Sequence, residues 1–159
     1  MFNLSLFGFL ETQRLGHLLG EYLPRGSVVF LSGNLGAGKT TLVQGIGEGL
    51  GIQESIISPT FTLINEYIDG RIPLYHLDLY RLQPSQVDSI YPEMYWEGIE
   101  VEPGITAVEW WQHLAIKPKN YIEIELVTRE NWRIAKIEQR GTDNYDLKFL
   151  HDFKRSPKQ

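Results

Sequence analysis

Gly33-Asn34-Leu35-Gly36-Ala37-Gly38-Lys39-Thr40 lies one residue beyond the apolar run Val28-Val29-Phe30-Leu31. The stretch is a complete G-x-x-x-x-G-K-[ST] phosphate-binding loop placed after a strand, the context the motif requires. Glycines let the backbone turn tightly enough for several N–H groups to point inward at phosphate oxygens, and the helix opening after the loop adds the positive end of its dipole. Lys39 is then placed to bridge β- and γ-phosphates, and the Thr40 hydroxyl to ligate Mg²⁺. The loop points to a nucleoside triphosphate. It does not distinguish adenine from guanine.

Upstream of the loop, residues 11–23 place Leu15, Leu18, Leu19, Tyr22 and Leu23 at helical spacing, and Pro24-Arg25-Gly26 ends that helix. Strand Ser27 to Leu31 precedes the loop, and a helix over Thr41 to Leu50 follows it, with Gly51 as its stop. Beyond Ser58-Pro59-Thr60, the stretch Phe61 to Ile68 alternates like a strand, Asp69-Gly70 is a hairpin turn signal, and Ile72 to Leu82 is the return strand. Residues 83–104 are irregular and predict short helical pieces and a surface loop. A short buried strand is expected at Ile105 to Trp110, a β-meander at Tyr121 to Thr128 and Trp132 to Gln139, and a poorly defined final segment from Gly141 to Phe153. Hairpins combined with a phosphate-loop βα unit argue for an α/β fold, a three-layer P-loop sandwich with a mixed sheet flanked by helices.

The chain has 159 residues, 42% hydrophobic and 22% charged, the balance of one compact domain, expected over residues 1–153 with a short basic tail at 154–159. No apolar run is long enough to span a bilayer, and Met1-Phe2-Asn3-Leu4-Ser5 lacks the basic and apolar regions of a secretory signal, so a cytoplasmic protein is expected. The absence of cysteine excludes disulfides, thiol catalysis and Cys-ligated zinc. Fifteen basic against twenty acidic residues give a net charge of −5, which repels a nucleic-acid backbone, so any RNA is expected to be held by a partner.

A triphosphate site needs an acid at the end of an apolar strand to orient Mg²⁺ or a water. Asp78 ends Leu74-Tyr75-His76-Leu77 and Glu109 ends Ile105-Thr106-Ala107-Val108, which would bring both to the carboxyl edge of the sheet beside the loop. Each alone is equally readable as an ordinary strand-end acid facing solvent. His76 shares a strand face with Asp78 and is either its orienting partner or a half-buried strand histidine. Thr60 and Thr62 are either a segment sensing the γ-phosphate or simple strand-entry threonines.

The blocks Gly33 to Thr41, Ser58-Pro59-Thr60-Phe61-Thr62-Leu63, His76-Leu77-Asp78-Leu79-Tyr80-Arg81-Leu82 and Val108-Glu109-Trp110, in this order and spacing, resemble the TsaE (YjeE) family over roughly half the chain. That family is the bacterial ATPase of tRNA threonylcarbamoyladenosine biosynthesis, acting with TsaB and TsaD on the adenosine beside the anticodon. The resemblance implies a weak, Mg²⁺-dependent, partner-stimulated ATPase. It implies nucleotide contacts from Asn34, Leu35, Gly36, Ala37, Gly38, Lys39, Thr40 and Thr41, with Thr60 in a switch-like segment. Asp78 is the implied Walker-B-like acid and Glu109 an acid near the metal, so that Asp78, Glu109 and Lys39 form the catalytic set and Thr40, Asp78 and Glu109 the metal set. Trp110 would belong to the functional edge, and Arg81 is either a phosphate contact or half of a surface ion pair. Two departures stand out: Asn34 where the family often has Asp, and Trp111-Gln112 in place of a small residue or proline followed by an acid.

Other readings of the loop are a small-molecule or nucleotide kinase, a GTPase and a nucleotide-dependent binding module. A kinase usually carries an Arg-bearing lid, against which this chain sets only scattered arginines at 129, 133 and 140. A GTPase is disfavoured because no Asn-Lys-x-Asp segment follows.

Overall fold

In the computed structural model, residues 1–155 are described; of the expected basic tail, residues 156–159 lie outside them. The strands are β1 (Phe2–Leu6), β2 (Ser27–Gly33), β3 (Ile64–Tyr67), β4 (Leu74–Asp78), β5 (Ile105–Glu109), β6 (Tyr121–Thr128) and β7 (Arg133–Arg140). They form one seven-stranded sheet in the order β1-β7-β6-β2-β5-β4-β3. β2 is parallel to β5 and β6, and β5 to β4. β3, β7 and β1 are each antiparallel to the neighbour that brings them into the sheet. The central strands β2, β4 and β5 are buried on both faces, which explains why they read as continuous apolar runs.

One face of the sheet packs against helices α1 (Phe9–Tyr22) and α2 (Lys39–Leu50), around a core that includes Leu15, Leu19, Leu42, Ile46, Ile105 and Ile124. The opposite face buries Phe30, Tyr75, Leu77 and Val108 beneath α3 (Pro84–Val87) and α4 (Glu93–Glu97), the short pieces expected within 83–104. A last helix, α5 (Phe149–Arg155), forms where the sequence suggests no defined element. Among the described residues, no helix is long and apolar enough to cross a membrane.

Several boundaries depart from the sequence reading. β1 has no counterpart among the expected elements, although Asn3-Leu4-Ser5-Leu6 alternates exposed and buried in the strand period. The strand expected over Phe61 to Ile68 begins only at Ile64, because the Leu63 N–H turns back to the Pro59 carbonyl at 2.8 Å and Leu63 takes a left-handed φ of 67°. The return strand is confined to Leu74–Asp78: the Asp78 carboxylate accepts the Tyr80 N–H at 3.0 Å and turns the chain out of the sheet. β5 ends at Glu109 because Trp110 adopts a left-handed φ of 57°.

α1 and α2 run parallel and nearly touch through glycines that leucine periodicity does not reveal. A Cβ on Gly16 would overlap the Leu42 carbonyl oxygen, and one on Gly45 the Gln13 carbonyl oxygen; Gly20 and Gly49 repeat the arrangement one turn on. Gly45→Ala is therefore expected to destabilise by about 2 kcal/mol, since backbone cannot yield as a side chain does. Its midpoint in a thermal melt should fall by roughly 5 °C, whereas an exposed substitution on the same helix such as Glu48→Ala should leave it within about 1 °C.

Candidate functional site

The loop after β2 and the ends of β4 and β5 meet at one edge because those strands are parallel, with Leu31 registered to Glu109 and Glu109 to Asp78. Gly36 and Gly38 hold φ values of 79° and 108°, left-handed geometry that an L side chain rarely adopts. Gly38 caps α2, Ala37 N–H closes onto the Asn34 carbonyl at 2.9 Å, and Lys39, Thr40 and Thr41 open the helix. The loop borders a cleft of about 680 Å³. All the loop residues singled out from the sequence line it, together with Ser58, Thr60, Asp78, Tyr80, Glu109, Trp110 and Arg133.

Lys39 Nζ donates to the Gly33 carbonyl at 2.7 Å and stands 5.9 Å from the centroid of the Trp110 ring. The ammonium is thus held over the loop, between its backbone and an aromatic wall. Trp110 stacks obliquely on Tyr80, centroids 4.8 Å apart, so the two rings form one side of the cleft mouth. Burial pushes the Asp78 carboxyl above the ordinary carboxylate range; the Tyr80 N–H opposes this, the neighbouring Glu109 adds to it, and His76 and Lys39 pull it back.

His76 follows neither alternative left open by the sequence: it is fully buried, and it pairs with Glu109 in place of Asp78. Its Nε2 lies 2.8 Å from Glu109 Oε2, with both side chains buried, and it makes no hydrogen bond to Asp78. His76 is registered to Ala107, so its ring reaches diagonally across to the next residue on that face of β5, which is Glu109. Thr60 and Ser58 share a hydroxyl–hydroxyl bond of 2.8 Å at the cleft, whereas Thr62 turns to Asn65 at 2.6 Å and does not line it. Arg81 lies 4.3 Å over the Phe61 ring, a cation–π contact in place of a surface ion pair. Trp111, one of the departures from the family pattern, stacks on Phe30 at 5.1 Å and donates from Nε1 to Ser32 Oγ at 3.0 Å, so it belongs to the core on the sheet face that buries Phe30.

Arg133, counted from the sequence only among scattered arginines, lines the cleft. It opens β7, and its Nη2 donates to the Gly36 carbonyl at 3.3 Å while Nε is buried without a partner. No local pattern marks it, because only the pairing of β6 with β7 carries it to the loop.

The donor set fits magnesium. Among the described residues no cluster of three or more His, Asp or Glu forms a metal cage. Thr40, Asp78 and Glu109 instead offer a few hard oxygen donors beside a phosphate loop, the arrangement Mg²⁺ takes when substrate phosphates and waters complete its shell.

A family model described as threonylcarbamoyl adenosine biosynthesis protein TsaE matches residues 9–136. The tRNA threonylcarbamoyladenosine biosynthesis protein TsaE of a Nostoc species is 64% identical over 116 residues, 73% of this chain and 72% of the relative. Its namesake in Bacillus subtilis is 40% identical over 139 residues, 87% of this chain and 78% of that protein. The crystal structure of Bacillus subtilis YdiB superposes with a TM-score of 0.75 at 29% identity, covering 97% of this chain and 94% of the other. With the family model spanning most of the fold and relatives this similar, the chain belongs to the TsaE family.

Proposed function

We propose that this protein binds ATP with Mg²⁺ and hydrolyses it weakly as a component of the machinery that installs threonylcarbamoyladenosine beside the tRNA anticodon, acting in the cytoplasm with TsaB and TsaD. The observation that supports this best is the convergence of Lys39, Asp78 and Glu109 on one cleft with the loop amides. Lys39 and the loop would hold the β- and γ-phosphates, and Thr40, Asp78 and Glu109 would hold Mg²⁺, whose charge would be available there to neutralise the γ-phosphoryl group. His76 orients Glu109, and Tyr80 and Trp110 wall one side of the cleft.

The net charge and the segment carrying Ser58 and Thr60 support partner dependence. With a net charge of −5, the chain has too few cations to displace counterions from tRNA, so tRNA is engaged through the complex. The segment carrying Ser58 and Thr60 is outside the sheet ladder, which leaves it able to report the γ-phosphate to a partner. ATPase assays with and without TsaB and TsaD test this. Turnover should rise with the partners, and Thr60→Ala should blunt that rise more than it weakens ATP binding. A rate indifferent to the partners, or tight tRNA binding by the lone chain at physiological salt, would overturn the proposal.

A further inference from the structure

β3 is the last strand of the sheet, paired on one side to β4 and, among the described residues, to no strand on the other. The Asp78 N–H donates to the Leu63 carbonyl at 2.9 Å, and Ile64 is registered to Leu77. Antiparallel alternation then turns the backbone groups of Asn65 and Tyr67 toward β4 and leaves the N–H and C=O groups of Ile64 and Glu66 pointing outward. Such a row of groups is a template for another extended chain.

A groove of about 390 Å³ follows this edge. One wall is the segment 54–57, held beside β3 because Asn65 Nδ2 donates to the Ile57 carbonyl and the Ile57 N–H to the Tyr67 hydroxyl, each at 3.2 Å. The other is Tyr95 of α4 with the exposed side chain of Glu66. Burial, together with the Glu66 carboxylate, pushes the Tyr95 phenol up to about 12, so it stays protonated and able to donate to that carboxylate. Among the residues lining the groove Glu54 and Glu66 are the charged ones, which gives it two negative charges and no cation. A second copy adding its own β3 would bring the same acids against these, an arrangement that like charges disfavour.

We propose that the outer edge of β3 takes an extended segment of a protein partner by strand addition, with a lysine or arginine of that segment set against Glu66 and Glu54. Backbone bonds to Ile64 and Glu66 supply the affinity, and the two acids select the sequence. The wall at 54–57 runs on into Ser58 and Thr60, which line the phosphate cleft. An occupant of the edge therefore bears on the chain beside the γ-phosphate, a link that rests on the ATP-binding reading above.

The test titrates the peptide acetyl-Thr-Lys-Val-Lys-Val-Lys-Thr-amide into the full chain without nucleotide, followed by calorimetry and NMR. The Ile64 and Glu66 amides should exchange freely in the lone chain and slow about tenfold at nine-tenths saturation. An analogue with glutamate at each lysine position, and one N-methylated along its backbone, should each bind at least about tenfold more weakly. Glu66→Lys, at an exposed position, should weaken the basic peptide about fivefold. No binding, equal binding of either analogue, or an unchanged affinity in Glu66→Lys would overturn the docking edge. Edge amides already protected in the lone chain, increasingly so with its concentration, would overturn it in favour of a second copy. Mg–ATP should change the affinity for the peptide at least about fivefold. The same affinity in a chain that binds Mg–ATP would remove the link to the cleft, whereas a chain that binds the peptide and no Mg–ATP would overturn the ATP reading and leave the docking edge standing.

Discussion

ATP affinity of a Lys39→Ala variant is expected to fall by at least about 100-fold, close to 2.8 kcal/mol. Lys39 Nζ already stands over the loop, tethered to the Gly33 carbonyl at 2.7 Å, so it meets the β- and γ-phosphates with little reorganisation. Loop amides supply partial charges only and cannot replace a full cation against a triphosphate. The fold should survive, because the truncated side chain lies at a cleft whose core neighbours, Ala37 and Leu42, pack independently of it. Calorimetry with Mg–ATP, paired with a thermal melt, checks both halves, and an unchanged affinity in a folded variant would remove the loop from the site.

Asp78→Asn and Glu109→Gln are each expected to reduce partner-stimulated turnover by at least about tenfold, or 1.4 kcal/mol of barrier. Both replacements keep shape and hydrogen-bonding capacity: the new asparagine amide oxygen can still accept the Tyr80 N–H, and the new glutamine amide can still meet His76. What they remove is charge at the strand ends that face the phosphates. Burial holds the carboxyl of Asp78 above the ordinary aspartate value of about 4 in the metal-free protein, so a pH titration followed by NMR should show its charge present above that raised value and lost as pH falls through it. Near-wild-type rates for both variants in assays containing TsaB and TsaD would leave the acids without a role in hydrolysis.

Chain-local chemistry makes the phosphate loop, the helices flanking it and the strand-end acids readable without coordinates. A glycine-rich turn, a buried apolar run and an acid at its end depend on backbone geometry within a few residues. The same locality explains the errors. Phe61 to Leu63 has strand composition, yet the Leu63 N–H finds the Pro59 carbonyl instead of a ladder, and no alternation pattern encodes that choice.

That a G-x-x-x-x-G-K-[ST] loop is followed by acids at the ends of two apolar strands is written in the linear chain, because residue type and spacing are properties of the chain. Which side chains meet at the loop is a property of the folded molecule. His76 reaches Glu109 and not Asp78 because the parallel register sets His76 beside Ala107. Arg133 joins a loop formed almost a hundred residues earlier because antiparallel pairing of β6 and β7 returns the chain to the same edge. Gly16 and Gly45 bring α1 and α2 close enough to carry the loop's helix across the sheet, a contact that exists only once both helices share a face. Register and close approach are relations between distant segments, and the physical reason they escape a linear reading is that backbone pairing and packing select them after the local elements have formed.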